Sequence, residues 1–224
     1  YKLEKKVIEA EIDIMREIGV EIRTGVEVGK DITLDELRAQ GYKAFYVAIG
    51  CQGGRLPGIP GESLEGTTTA IDFLHEANTG KKKITGKVVV VGGGNVAIDA
   101  ARVAKRSGAS EVTMLSLETE DIMPAAPHER AEAREDGVDI RPGWGPKEVL
   151  GKDKVEGISF KKCVSVFDDH HRFAPQYDEN EVITLDADLV VFAIGQTVIL
   201  KDLLKDTKVE FFRGVYPVAD KLTY

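Results

Sequence analysis

Residues 87–97 read Lys87-Val-Val-Val-Val91-Gly92-Gly93-Gly94-Asn95-Val96-Ala97, and this stretch decides the fold. The four valines are typical of a buried strand, and the apolar spacing from about Val96 to Arg106 predicts a helix directly after the glycines. In this G-x-G-x-x-A pattern, Gly92 permits the tight turn, Gly94 lets the backbone approach a pyrophosphate, and Ala97 lets the helix pack on the strand. We therefore predict that the phosphates of a dinucleotide are bound at the positive end of this helix by Gly92, Gly93, Gly94, Asn95, Val96 and Ala97.

Two other interpretations of the glycine pattern stay open at the level of sequence: a turn that binds nothing, and a site for a nucleotide methyl donor. The surrounding pattern favours the dinucleotide, because strands and helices alternate around it. We predict an α/β fold: a Rossmann-like parallel sheet with helices on its faces, plus a small antiparallel β-meander within residues 147–186 and an incomplete second βαβ domain. The parallel strands are predicted at 87–91, 111–115, 137–140 and 189–194.

The flanking residues carry their own signals. An apolar stripe ending at Gly19 predicts a first helix, and Thr33-Leu-Asp-Glu36 is a capping box that opens a short one. Strands are predicted at Val20–Arg23 and, as a buried run, at Ala44–Ile49, and a Gly/Pro-rich linker at Gly53–Gly61. Further along, the sequence predicts a threonine-capped helix over 67–78, a helix that starts at Pro127 and a hairpin-like segment at Val155–Phe167. The ending Ala-Ile-Gly occurs at both Gly50 and Gly195, which suggests two related α/β units.

The nucleotide is predicted from the end of the second strand. An acidic residue there accepts hydrogen bonds from the adenine ribose of NAD and repels the 2′-phosphate of NADP. Glu118 stands at this position, with no arginine between Met114 and Glu129. The separation from the glycines is slightly longer than usual, so Glu120 is a second candidate, and an ordinary solvated glutamate is the alternative. NAD(H) is favoured over NADP(H).

Composition excludes several other classes of protein. A net charge of −8 offers no basic surface for nucleic acid, and the longest apolar run, Leu189–Ile194, is too short to span a bilayer. Cys51 and Cys163 form neither a C-x-x-C pair nor a zinc set, which suggests free thiols in a cytoplasmic protein. His170-His171 is predicted at a solvated hairpin tip, so no metal site is expected. No side-chain nucleophile pattern appears either, and we assign no catalytic residue.

The string Val90-Val-Gly-Gly-Gly-Asn-Val-Ala-Ile-Asp-Ala-Ala-Arg102 resembles the second dinucleotide loop of flavoproteins similar to the glutamate synthase small (β) subunit, within the pyridine nucleotide-disulfide oxidoreductase superfamily. The resemblance extends to Met123-Pro124, to Trp144-Gly-Pro146 and to Ala193-Ile-Gly-Gln196. It implies a partial FAD-domain segment and linker at 1–70, an NAD(P)-binding domain at 71–198, and a return to the FAD domain at 199–224. It also implies that Gly195 and Gln196 lie near the nicotinamide.

The family's activity is hydride transfer from NAD(P)H to FAD, followed by electron flow to an iron–sulphur centre or a partner subunit. The sequence departs from the family in lacking an earlier glycine loop for FAD in residues 1–86 and a later Gly-Asp motif. The chain also begins at Tyr1 rather than methionine. We therefore expect a piece of a longer protein that is inactive alone and depends on the rest of the FAD domain. The alternative is a non-catalytic nucleotide-binding or interaction module that keeps the fold.

Overall fold

A computed structural model describes residues 3–80, 83–205 and 207–222 of the chain. They form two units: one contains the described residues of Tyr1–Cys51 and Val198–Tyr224, and the other is Gln52–Thr197. The helices are α1 (Lys5–Glu17), α2 (Leu34–Ala39), α3 (Ala70–Asn78), α4 (Asn95–Arg106) and α5 (Pro127–Glu135). The strands are β1 (Gly53–Gly54), β2 (Thr67–Thr69), β3 (Lys87–Val91), β4 (Glu111–Ser116), β5 (Asp139–Pro142), β6 (Trp144–Gly151), β7 (Val155–Phe167), β8 (Phe173–Asp186), β9 (Leu189–Phe192), β10 (Gln196–Thr197), β11 (Phe211–Phe212) and β12 (Tyr216–Pro217).

The second unit is built on a five-stranded parallel sheet in the order β2-β9-β3-β4-β5. β3 lies beside β4 in parallel, with Val91 opposite Leu115, and helix α4 makes the crossover between them. This pairing confirms the predicted βαβ unit, since such a crossover requires parallel neighbours. A separate antiparallel sheet, β6-β7-β8, confirms the predicted meander.

The two faces of the parallel sheet are covered differently. Val88 and Val90 of β3 pack among residues of α3, α4 and α5, whereas Val89 and Val91 pack with residues of the meander. Successive side chains of a strand point to opposite faces, so a four-valine strand serves two hydrophobic cores at once. The prediction of helices on the faces is therefore refined: the helices of this unit lie on one face, and the meander covers the other.

Several predicted elements have different bounds or a different form. The third parallel strand is Asp139–Pro142 rather than 137–140, and the fourth ends at Phe192 rather than at residue 194. The helix predicted over 67–78 begins at Ala70, because Thr67–Thr69 pairs with β9 as an edge strand. Thr69 is the cap, and its hydroxyl accepts from the Asp72 N–H. The segment predicted as hairpin-like, Val155–Phe167, is one long strand whose hairpin partner is β8.

The first unit contains α1, α2 and the two-stranded hairpin β11–β12. The capping box of α2 is present, since the Thr33 hydroxyl accepts from the Glu36 N–H while the Glu36 carboxylate accepts from the Thr33 N–H. The strands predicted at 20–23 and 44–49 are not formed, and Tyr46 is 96% exposed. A strand is defined by its pairing within a sheet, and neither run forms part of a sheet in the described residues. None of the residues of α1 is buried.

An ion-pair cluster joins α4 to the end of α5. Arg102, whose side chain is only 7% exposed, donates from Nε to Asp136 Oδ2 at 2.7 Å and pairs with Glu132 through Nη1. Arg106 adds a second contact to Asp136, at 2.7 Å. From the sequence alone, Arg102 has the position of a solvated charge on the surface of a helix, but in the structure its side chain is buried. Its guanidinium is buried between two helices because three acidic side chains of the α5 region surround it.

The charge of Asp136 should make part of the stability pH-dependent. The hydrogen bond from Arg106 holds the pKa of the Asp136 carboxyl below its usual range, and Arg102 acts in the same direction. A lowered folded-state pKa contributes stability that is fully present above the unfolded pKa and lost as pH falls through the folded one. We expect the difference in free energy of unfolding between the parent chain and Asp136→Asn to shrink below about pH 4. Urea unfolding at pH 6 and at pH 3 measures it, and a difference that stays constant would contradict the assignment.

None of the described helices has the length and apolar character needed to cross a membrane.

Candidate functional site

The glycine loop lies between the end of β3 and the start of α4, where sequence analysis placed it. Gly92 has a φ of +145° and donates its N–H to the Leu115 carbonyl at 2.8 Å. A Cβ atom at Gly92 would overlap the carbonyl oxygen of Ala193. Glycine is therefore required at this position for two reasons, a left-handed conformation and a close approach of backbone to backbone.

Gly94 is the N-cap of α4, and it differs from Gly92 in its surroundings. Its φ of −94° and ψ of 173° suit any residue, and a Cβ atom there would meet no atom within 4 Å. The space in front of Gly94 is thus open, at the helix end where N–H groups lack intrahelical acceptors. An anion placed there meets backbone donors and the positive end of the helix dipole.

The segment before α5 is hydrogen-bonded to the glycine loop. The Ala125 N–H donates to the Gly93 carbonyl at 2.9 Å, and the Ala126 N–H donates to Asn95 Oδ1, also at 2.9 Å. Asn95 therefore holds a neighbouring loop through its side chain, while its backbone N–H lies at the helix start. Val96 and Ala97 follow in the first turn of α4, and Ala97 is fully buried in the helix-side core.

Glu118 lies against the glycine loop. Its carboxylate Oε2 lies so close to Gly93 that a Cβ atom there would overlap it, and its carbonyl oxygen accepts from the Gly143 N–H at 2.9 Å. Glu120 has a different environment: its carboxylate pairs with Arg134 at 2.7 Å and with Arg130 at 3.1 Å. The hydrogen bond from Arg134 lowers the pKa of Glu120. Of the two glutamates left open by the sequence, Glu118 is the one that lines the cleft of the glycine loop.

Two clefts meet at the loop. The larger has a volume of about 550 Å³ and includes Gly92, Gly93, Gly94 and Glu118 on one wall. The meander also lines this cleft, through residues that include Trp144 and Tyr177. The smaller cleft, of about 320 Å³, includes Asn95, Val96, Gly195 and Gln196. Gly94 and Ala193 line both clefts, so the two spaces adjoin at the start of α4.

The smaller cleft contains residues that sequence analysis did not assign to the site. Ala70 and Ile71, the first two residues of α3, line it together with Gly54. Gly54 pairs with Gln196 in the short antiparallel ladder β1–β10, so the segment 53–61 is not wholly a linker. The threonine cap predicts that α3 exists. The spacing of residues in the sequence does not predict that the first residues of α3 and of α4 line the same cleft.

Other candidate groups lie elsewhere. His170 and His171 occupy the exposed turn between β7 and β8, as predicted, and His128 is exposed on α5. Cys51 is exposed and Cys163 is buried, and burial raises the pKa of the Cys163 thiol. Within the described part of the chain, no group of three or more His, Cys, Asp or Glu side chains is arranged to hold a metal ion.

Comparison with known proteins agrees with this geometry. The family model described as pyridine nucleotide-disulphide oxidoreductase matches residues 4–223. The chain therefore belongs to the pyridine nucleotide-disulphide oxidoreductase family. Within it, the glutamate synthase (NADPH) small chain of Halomonas elongata is 36% identical over 208 residues, which are 87% of this chain and 44% of that relative. The predicted resemblance to glutamate synthase small subunits is thereby confirmed.

One further relative and one solved structure are similar to this chain. The NAD-dependent dihydropyrimidine dehydrogenase subunit PreT of Escherichia coli O157:H7 is 33% identical over 92% of this chain and 45% of its own length. The solved structure of FprA from Mycobacterium tuberculosis in complex with NADPH has a TM-score of 0.69 at 21% identity, covering 93% of this chain and 61% of that chain. This structural match confirms the α/β fold class. The chain spans less than half the length of the two curated relatives.

Proposed function

We propose that this chain is the nicotinamide-nucleotide-binding portion of an FAD-dependent oxidoreductase similar to the glutamate synthase small subunit. In this proposal, hydride passes from the bound nucleotide to a flavin, and electrons continue to an iron–sulphur domain or a partner subunit. The flavin supplies the redox chemistry when it is bound. The residues of this chain supply position: they bind the nucleotide, orient it and exclude water around it.

One observation carries the proposal: two adjoining clefts meet at the N-terminal end of α4. A dinucleotide has two nucleosides joined by a pyrophosphate, so its middle needs an anion site and its two ends need separate cavities. The open space at Gly94 fits the pyrophosphate. The cleft with Glu118 fits the adenosine, and the cleft with Gly195 and Gln196 fits the nicotinamide half.

The nucleotide we propose is NAD(H) rather than NADP(H). The proposal is supported by the position of the Glu118 carboxylate beside Gly93. A carboxylate there would accept hydrogen bonds from ribose hydroxyls and would repel a 2′-phosphate. Most of the similar proteins have NADPH or NADP+ in their names, and PreT has NAD, so the choice of NAD(H) rests on Glu118 alone.

Glu118→Ala should weaken NADH binding about tenfold or more, because a hydrogen bond to a charged group is lost. Binding of NADPH should stay unchanged or improve, because the repulsion of the 2′-phosphate is relieved. Isothermal calorimetry with both nucleotides measures the two affinities. Glu120→Ala is the matched control and should change neither, since that carboxylate pairs with α5 outside the cleft. Equal affinities of the parent chain for both nucleotides, unaffected by Glu118→Ala, would contradict the NAD(H) assignment.

Hydride transfer is tested in the full-length protein that contains this chain. With FAD bound, NADH should bleach the flavin absorbance band under anaerobic conditions. The Gly94→Val variant of the same protein should retain the flavin and lose the bleaching. If the chain binds NADH but the full-length protein holds no reducible flavin, the non-catalytic nucleotide-binding module becomes the correct description.

A further inference from the structure

The larger cleft has an aromatic wall that does not come from the parallel sheet. Trp144 begins β6 and Tyr177 lies on β8, so both belong to the meander, yet both line the cleft that contains the glycine loop and Glu118. In a dinucleotide, the adenine is bonded directly to the ribose whose hydroxyls would donate hydrogen bonds to Glu118. The base must therefore lie within one sugar ring of Glu118, in the cleft that Trp144 and Tyr177 line.

The ring of Tyr177 is held in place by its neighbours. A Cβ atom at Gly145 would overlap the Tyr177 ring and lie 2.8 Å from Leu117 Cδ2, so these three residues are tightly packed. Lys161 Nζ lies 5.3 Å from the ring centroid and is itself tied to Glu179 at 2.7 Å. A ring fixed in this way needs little further ordering to receive a ligand, which lowers the entropic cost of binding.

The meander is also tied to the segment that carries Glu118. The Gly143 N–H donates to the Glu118 carbonyl, and the Cys163 N–H donates to the Gly143 carbonyl, each at 2.9 Å. Cys163 lies directly opposite Tyr177 in the β7–β8 ladder. A short series of backbone contacts thus sets the position of the Tyr177 strand relative to the carboxylate next to the glycine loop.

We propose that Tyr177 is the stacking residue for the adenine base, with Trp144 beside it, so that the meander forms the adenine-binding wall of the nucleotide site. This assignment rests on the proposed function, because it presumes that a dinucleotide occupies the two clefts. Stacking of a base on an aromatic ring is tolerant of ring substituents and depends on the flat π surface. The hydroxyl of Tyr177 is therefore dispensable and its ring is not.

A groove on the other side of Leu117 offers the base an alternative place. It has a volume of about 350 Å³ and includes Leu117, Ile122 and Phe167, but neither Trp144 nor Tyr177. Phe167 stands there as an exposed aromatic side chain on β7, and it provides a matched comparison for Tyr177. Substituting leucine at Tyr177 and at Phe167 therefore distinguishes a base bound in the larger cleft from one bound in this groove.

The test uses ADP-ribose, which retains the adenosine and lacks the nicotinamide, with the parent chain and three variants in calorimetry. Tyr177→Leu should weaken ADP-ribose about fivefold or more, Tyr177→Phe should bind nearly as the parent does, and Phe167→Leu should leave the affinity unchanged. Reduced nicotinamide mononucleotide, which lacks the adenosine, should bind the parent and Tyr177→Leu equally. Trp144 is the only tryptophan of the chain, so its emission should change when ADP-ribose binds the parent, a measurement that needs no variant.

The outcomes separate the two proposals. Two results would overturn the adenine assignment while leaving nucleotide binding in place. One is binding of ADP-ribose without a change in Trp144 emission. The other is an affinity for ADP-ribose that falls in Phe167→Leu and not in Tyr177→Leu. If neither ADP-ribose nor NADH binds, the proposed function itself is overturned, and the adenine assignment with it.

Discussion

Replacing Gly94 by valine should abolish nucleotide binding and leave the fold intact. The new side chain would project into the open space at the start of α4, where the pyrophosphate must approach the backbone. We expect the affinity for NADH and for NADPH to fall by about two orders of magnitude or more. The backbone angles of Gly94 suit a branched residue, so the variant should lose only about 1 kcal/mol of stability, from the weaker N-cap. Calorimetry and urea unfolding measure the two quantities.

Gly92→Val provides the contrast. At this position the side chain would require a left-handed conformation and would overlap the Ala193 carbonyl, so loss of binding should come with loss of the folded state. Comparing the two variants distinguishes the roles of the two glycines: Gly92 is needed to form the turn, and Gly94 leaves room for the ligand. A Gly94→Val chain that is folded and still binds NADH at the parent's affinity would show that the pyrophosphate lies elsewhere.

Arg102→Ala should be the most destabilising of the single charge removals considered. Its side chain is 7% exposed and lies among carboxylates of the α5 region. Its removal takes away the cation that pairs with Glu132 and leaves Asp136 paired with Arg106. Breaking a buried ion pair from one side costs about 3–5 kcal/mol. Urea unfolding at neutral pH measures the loss.

Arg106→Ala is the matched control for the same cluster. Its guanidinium also binds Asp136, but the side chain is 47% exposed, and an exposed pair contributes about 1 kcal/mol or less. Equal losses of unfolding free energy in the two variants would contradict this prediction. The burial of Arg102 would then add nothing to its contribution, and the cluster would act as an ordinary surface network.

The sequence predicted those parts of the structure whose signals are local. Strand β3, the glycine loop, α4 and β4 follow one another within 87–116, and each is set by its own spacing of apolar residues. Pro127 likewise marks the start of α5 because proline suits the first turn of a helix. In these segments local preference and tertiary packing agree, so the pattern alone was sufficient.

The elements that the sequence missed depend on distant partners. β1 consists of two glycines, which carry no side-chain pattern, and its ladder with β10 joins residues far apart in the chain. The apolar run 44–49 has the composition of a buried strand, yet it forms no strand and is largely exposed. Arg102 looks like an ordinary helix charge until Asp136 is brought beside it. Glu118 and Glu120 differ only in what the fold places around them.

The β1–β10 ladder has a consequence for how the Gln52–Thr197 unit can be carried by a longer polypeptide. Gly54 lies opposite Gln196, so the chain enters and leaves this unit at neighbouring points. The unit is therefore connected to the rest of the polypeptide as a surface loop would be, with its two ends held next to each other. The entropic cost of closing a loop rises only slowly with its length. Its sheet, meander and both clefts can therefore be exchanged as one piece between host proteins, provided that the two ends stay side by side.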